Sequence, residues 1–129
     1  MTYQELVQKA IEVKQNSYSP YSKFKVGAAL LTQNQELYSG VNIENASYGL
    51  TVCAERTALF KAVSEGKRKF VALAVACETD HFEYAFPCGA CRQVMAEFLD
   101  DEADIIVSIN TGVYKVYKLK ELLPNAFRL

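Results

Sequence analysis

Apolar residues recur at helical spacing in some stretches and in short unbroken runs in others, and their order outlines the chain. Tyr3, Leu6, Val7, Ala10 and Ile11 follow a period near 3.6 and predict a first helix to about Lys14. Thr2 and Glu5 stand in the positions of a capping box at its start. Tyr18-Ser19-Pro20-Tyr21-Ser22 breaks the pattern. Phe24 to Thr32 and Glu36 to Val41 read as two strands joined by the turn Gln33-Asn34-Gln35, a hairpin. A second helix begins near Cys53, with Ala54, Ala58, Leu59, Ala62 and Val63 on one side, and Gly66 ends it. Phe70 to Ala76 is apolar without alternation, as in a central strand buried on both faces. A third helix is predicted from about Gly89 to Leu99, with Ala90, Val94, Met95, Phe98 and Leu99 inward. Asp104 to Ile109 and Val113 to Lys118 are two further strands, and the short turn Asn110-Thr111-Gly112 permits only an antiparallel return. Leu119 to Leu123 makes a last short helix before the tail Pro124 to Leu129.

This order implies an α/β fold: a three-layer α/β/α sandwich around a mixed five-stranded sheet. The second and third helices each follow a long loop and flank the buried central strand, so their N-termini are expected to meet at one edge of the sheet. The chain of 129 residues suits one domain, residues 1–129, with its own core. Half of the residues are hydrophobic and 22% are charged, which excludes a disordered chain. A net charge of -1 gives no footprint for nucleic acid. The one basic run, Lys67-Arg68-Lys69, reads as a solvated connection from helix to strand. The longest useful apolar run, Phe70 to Cys77, falls far short of the roughly 18 residues that span a membrane. The N-terminal residues lack the features of a signal peptide.

The chemistry concentrates in two short blocks. Thr51-Val52-Cys53-Ala54-Glu55-Arg56 opens the second helix, and Pro87-Cys88-Gly89-Ala90-Cys91-Arg92-Gln93 opens the third. Cys88 and Cys91 are three apart, so a helix puts both sulfurs on one face. Pro87 suits the boundary before that helix because proline has no N–H to lose there. Unpaired N–H groups and the positive end of the macrodipole favour thiolate at both helix starts. Cys53, Cys88 and Cys91 then make a zinc site with one position open, the mark of a catalytic zinc. Other readings remain: a redox pair at Cys88 and Cys91, a closed zinc completed by Cys77 or His81, and Glu55 as an ordinary first-turn carboxylate. Four cysteines with three committed to metal fit a reducing cytoplasm better than a disulfide scaffold. Cys77, at the end of an apolar strand, reads as an inert core residue and His81 as an exposed loop residue.

Zinc-dependent base deaminases carry H-x-E followed by P-C-x-x-C, with a three-cysteine variant. Cys53-Ala54-Glu55 and Pro87-Cys88-Gly89-Ala90-Cys91 match that variant. With Tyr18-Ser19-Pro20-Tyr21-Ser22, Phe24 to Leu30, Asn42 to Gly49 and Leu122 to Phe127, nearly the whole chain resembles the cytidine deaminases of the small homotetrameric type. The resemblance implies one zinc per chain and hydrolytic deamination of cytidine and deoxycytidine to uridine and deoxyuridine, in pyrimidine salvage. It makes Glu55 the group that moves protons between water, N3 of cytosine and the leaving amine. It also gives the polar Asn42 to Leu50 connection a purpose, with Asn42 and Glu44 holding the ribose hydroxyls.

By the same resemblance Phe24 and Ala54 line the substrate pocket, and Arg56 hydrogen-bonds the zinc sulfurs. Ala46, Tyr48 and Phe127 reach into a neighbouring subunit's site. Phe86, before Pro87, departs from the small residue usual there. Glu44 beside the sugar and the lack of a matched cation favour nucleosides over nucleotides, unless the fold brings up Lys23 or Lys25. Two competing readings are a related deaminase, such as one acting on blasticidin S, and a non-catalytic zinc module that binds partners.

Overall fold

The first helix, α1 (Tyr3–Val13), starts on the expected capping box. Glu5 N donates to Thr2 Oγ1 at 3.1 Å, and Thr2 N donates to Glu5 Oε2 at 2.9 Å. The computed structural model describes residues 1–78 and 83–129. Beyond α1 and a single 3-10 turn (Lys14–Asn16) come β1 (Val26–Thr32) and β2 (Leu37–Val41), then α2 (Ala54–Ser64). They are followed by β3 (Phe70–Cys77), α3 (Gly89–Phe98), β4 (Asp104–Ser108), β5 (Tyr114–Lys118) and α4 (Leu119–Leu122). The sheet order is β2-β1-β3-β4-β5, with β3 and β4 parallel and every other neighbouring pair antiparallel.

The apolar run of β3 fills both faces as expected, and that of β1 does the same. In β1, Ala29 and Leu31 face α1 while Ala28 and Leu30 face α2 and α3. In β3, Ala72, Ala74 and Ala76 join the α1 side, and Leu73, Val75 and Cys77 the other. Two glycines let the helices sit close. A Cβ on Gly27 would lie 2.1 Å from Ala10 O on α1, and one on Gly40 would lie 2.4 Å from Ala58 N on α2. Gly40 therefore fixes how near the sheet α2 rests, and α2 carries half of the chemistry.

Strand polarity decides where the helix starts meet. β2 is antiparallel to β1, and β1 is antiparallel to β3, so β2, β3 and β4 all point the same way. α2 follows the C-terminal end of β2, and α3 follows that of β3. Both N-termini therefore emerge at one end of the sheet, the position where open α/β sheets bind ligands. This corrects the expectation of an edge: the edges are β2 and β5. The helices meet instead over the end of the central strands β1 and β3.

Three other expectations change. β1 begins at Val26 and not Phe24. Asn42 takes over there, donating from Nδ2 to Phe24 O at 2.7 Å and accepting from Val26 N at 3.0 Å. Ala90 is exposed because it falls on the outer face of α3 with the exposed Gln93 and Glu97; Cys91, Met95, Ala96 and Leu99 make the buried face. The basic run is partly engaged, since Lys67 pairs with Glu36 at 2.8 Å. Among the described residues no helix is long and apolar enough to cross a membrane.

α1 is tied to the far side of the sheet by a polar contact. Tyr3 Oη donates to Asp104, which also pairs with Lys118 at 2.7 Å. Burial and the Asp104 hydrogen bond raise the Tyr3 pKa from 10.0 to about 12. Burial opposes ionisation of Asp104, but its bonds from Lys118 and Tyr3 outweigh that and lower its pKa. The folded state thus holds the Tyr3 proton more tightly than the unfolded chain does. Its contribution is complete below about pH 10 and is lost as pH rises toward 12. Tyr3→Phe is expected to cost about 1 kcal/mol at neutral pH. In denaturant titrations the gap between parent and variant should close across that alkaline window; a gap that stays constant would contradict the linkage.

Candidate active site

Cys53 is the N-cap residue of α2 and Cys88 the N-cap residue of α3, both with extended backbone. Cys91 lies one turn into α3 and is buried. The three sulfurs lie within 4.8 Å of one another, and Cys53 Sγ is 3.8 Å from Cys88 Sγ. A tetrahedral ion with metal–sulfur distances of about 2.3 Å sets its sulfurs about 3.8 Å apart. The spacing therefore fits zinc, and three ligands leave one position open. Cys77 is not part of the cluster, and neither is Glu55. His81, the other candidate for a closing ligand, lies outside the described residues.

The charges also ask for a cation. Without metal, hydrogen bonds from Cys91, Arg56 and Cys88 pull the Cys53 pKa from 9.0 down to about 5, against the cost of burial. The bond to Cys53 and burial push Cys91 the opposite way, well above the usual thiol range. Cys53 and Cys91 thus accommodate one negative charge and resist the second, whereas a divalent ion favours thiolate ligands. Arg56 Nη2 donates to Cys53 Sγ at 3.4 Å, while its buried Nε has no partner among the described residues. Contact with Cys53 and Cys91 raises the Arg56 pKa despite burial. Arg92 braces the other block, donating from Nε to Pro87 O and from Nη1 to Leu122 O, each at 2.8 Å.

A cavity of about 350 Å³ opens onto the sulfurs. Cys53, Ala54, Glu55 and Cys88 line its inner end. Glu55 is 4% exposed, and burial raises its pKa from 4.5 to about 7, with the Cys53 charge adding to the rise. Phe24, Asn42 and Glu44 also line the cavity. Asn42 still has one amide N–H to offer, since Oδ1 serves Val26 N and Ser17 and Nδ2 gives one bond to Phe24 O. Glu44 accepts from Tyr21 N at 2.9 Å, from Ser22 N at 3.1 Å and from the Ser22 hydroxyl, and these bonds lower its pKa, led by the hydroxyl. A carboxylate has about four lone-pair sites, so one remains for a ligand hydroxyl.

Ala46, Tyr48 and Phe127 do not line this cavity; all three are exposed, Tyr48 at 75% and Phe127 at 69%. Neither Lys23 nor Lys25 reaches it. The structure adds Ser22, Thr51, Glu83 and Tyr84 to its lining. Ser22 was legible only as part of a helix-breaking stretch, although its hydroxyl and N–H fix Glu44. Glu83 and Tyr84 stand in a loop with no periodicity to mark them. Cys77 lines the cavity as well, and burial raises its pKa, so it stays an inert thiol.

Residues 1–107 match the family described as the cytidine and deoxycytidylate deaminase zinc-binding region. The chain is 50% identical over 127 residues to a cytidine deaminase of Halalkalibacterium halodurans, covering 98% of this chain and 95% of that protein. The crystal structure of a cytidine deaminase from Burkholderia pseudomallei matches with a TM-score of 0.93 and 46% identity, over 98% of this chain and 100% of that one. A blasticidin-S deaminase of Bacillus cereus is more distant, 32% identical over 93% of this chain and 88% of its own. The strand order that brings two helix starts together, the zinc-spaced sulfurs and these likenesses agree: the chain belongs to the zinc-binding cytidine and deoxycytidylate deaminase family.

Proposed function

We propose that residues 1–129 act as one domain that hydrolyses cytidine and deoxycytidine to uridine and deoxyuridine, releasing ammonia, as a step of pyrimidine salvage in the cytoplasm. One observation carries the reading: a single cavity is lined by Cys53 and Cys88 of the three-sulfur cluster, by the buried carboxyl of Glu55, and by Asn42 and Glu44, each with hydrogen-bonding capacity to spare. Among the described lining residues there is no Lys, Arg or His, while Glu44, Glu55 and Glu83 are acidic. Such a lining disfavours a phosphate and favours a nucleoside. Free cysteines suit a reducing compartment.

Cys53, Cys88 and Cys91 hold one zinc per chain. Bound there, zinc supplies a Lewis acid that makes water a nucleophile near neutral pH. Three thiolates exceed its charge by one, and Arg56 with the two helix N-termini offsets the excess. Glu55 takes a proton from the attacking water and gives it to N3 as C4 becomes tetrahedral, then takes the remaining proton from the new C4 hydroxyl and delivers it to the departing amine. Cytidine and water thereby become uridine and ammonia, with no other reactant needed. Asn42 and Glu44 hold the ribose hydroxyls, and Phe24 and Ala54 shape the space for the base.

We place Ala46, Tyr48 and Phe127 in a neighbour's site within a homotetramer. The tail has a defined place of its own: Gln93 Nε2 donates to Phe127 O at 2.9 Å, and Arg128 Nε donates to Ala96 O at 2.9 Å. This strap holds the backbone to α3 while leaving the Phe127 ring outward, which supports a role for the ring beyond its own chain.

Loss of cytidine absorbance on adding the purified protein, with and without a chelator, tests the reaction. Glu55→Ala should retain zinc and fold but lose about 10²–10⁴-fold in kcat; activity within tenfold of the parent would end its proposed role. Arg56→Gln should lose activity by less and release zinc to a chelator faster. Unchanged activity and unchanged zinc release would remove the charge-offset argument. Mixing tests the shared site: chains carrying Glu55→Ala and chains carrying Phe127→Ala, dissociated and reassembled together, should recover activity that neither has alone. An active monomer on size-exclusion chromatography would rule the shared site out.

A further inference from the structure

The mechanism leaves one wall of the cavity without a task. Tyr84, Ala85 and Phe86 line it, just before Pro87 and the sulfur of Cys88. The segment is fixed: Ala85 N donates to Ser108 O at 3.1 Å, and Phe86 N to Tyr84 O at 3.0 Å. β5 braces its two rings. The Lys115 ammonium sits 4.6 Å from the Tyr84 ring centroid, and the Tyr117 ring lies 5.4 Å from that of Phe86 at 58°. Lys115 and Tyr117 are two apart on the strand and so share a face. Tyr117 is itself half-buried against the core. Phe86, although 47% exposed, is therefore held in one place beside the reacting end of the cavity.

Its position relative to a base is argued from the two cysteine blocks. Glu55 follows Cys53 at the start of α2, whereas Phe86 precedes Cys88 at the start of α3. The sulfur cluster joins the two helix starts, and both residues line the cavity with Cys53 and Cys88. A pyrimidine with C4 at the sulfurs and N3 toward Glu55 turns its opposite edge, at C5, toward the α3 side. We propose that Phe86, buttressed by Tyr117, is a specificity-determining residue that closes the cavity against the C5 edge of the base and so excludes 5-substituted cytidines. This inference rests on the deaminase reading and concerns only which bases the site admits. A hydrophobic wall discriminates through steric fit, and a difference of one methylene commonly changes kcat/KM by roughly 10–200-fold.

The test compares cytidine with 5-bromocytidine in the zinc-loaded parent, Phe86→Ser and Tyr117→Ala. The electronic effect of bromine on the reaction is common to all three and cancels when their ratios are compared. The ratio of kcat/KM for 5-bromocytidine to that for cytidine should rise by roughly tenfold or more in Phe86→Ser. Tyr117→Ala, which keeps the ring and removes its brace, should give a smaller rise. Binding of uridine and 5-bromouridine by calorimetry should shift in the same order, and this readout survives if turnover is damaged. The same ratios in parent and Phe86→Ser, in both turnover and binding, would overturn the proposal. So would a parent that binds the two uridines equally. A parent that neither deaminates cytidine nor binds uridine would overturn the deaminase reading and this inference together, whereas active deamination with unchanged ratios would overturn this inference alone.

Discussion

Two helices must begin at the same end of the sheet before three sulfurs from two distant stretches can approach within coordination distance. The strand order meets this requirement. β1 lies between β2 and β3 and runs against both, so β2 and β3 point the same way although a strand separates them. The α2 crossover spans that gap and the α3 crossover joins β3 to its parallel neighbour β4. Each crossover helix then starts where its preceding strand ends. Gly40 lets α2 lie close enough to the sheet for Cys53 to face Cys88. A side chain at that position would displace the helix and the sulfur with it.

The same convergence creates an electrostatic problem that the site resolves locally. Three sulfurs and the carboxyl of Glu55 crowd together where the two helices start, and Cys53, Cys88 and Glu55 line the cavity there. The helix N-termini contribute partial positive charge, which falls off within about a turn. Arg56 contributes a full charge at contact distance from Cys53. Among the described residues Glu55 forms no ion pair; its burial keeps a proton available near neutrality. Sulfur and carboxylate, two residues apart on one helix, are thus tuned in opposite directions by their surroundings.

Much of this was legible in the chain because it is local. The capping box at Thr2 and Glu5, the two-faced run of β3, and the metal-ligand spacing of Cys88 and Cys91 depend on neighbours within a few residues. What escaped depends on distant partners. Phe24 has strand-like surroundings in sequence, but the Asn42 amide bonds the backbone at residues 24 and 26 and marks the start of β1. The apolar period counts Ala90 inward on α3, yet it shares the outer face with Gln93 and Glu97 while Cys91 beside it is buried. Tyr84 and Phe86 carry no periodic signal, and their fixed positions come from β5, some thirty residues later in the chain. The ties that hold the tail run through the Gln93 side chain, the Ala96 carbonyl and the Asp101 carboxylate, none of which a hydrophobic pattern registers.

α3 is the element on which most of these relations converge. Its first turn supplies Cys88 and Cys91, and Arg92 ties that turn to the end of α4. Its next turn carries Gln93 and Ala96, which hold the tail. The Tyr84–Phe86 wall leads directly into it. A shift of this one helix would move two sulfurs, the cavity wall and the outward ring of Phe127 together. Its buried face is small, with Met95, Ala96 and Leu99 as the main contributors outside the sulfur site. Polar ties to Pro87, Leu122 and the tail, and the sulfur cluster itself, therefore bear more of its positioning than they do for α1, which rests on Leu6, Val7 and Ala10 against an alanine-rich sheet face. That difference makes metal binding part of how α3 is held, so the site and its supports stabilise one another.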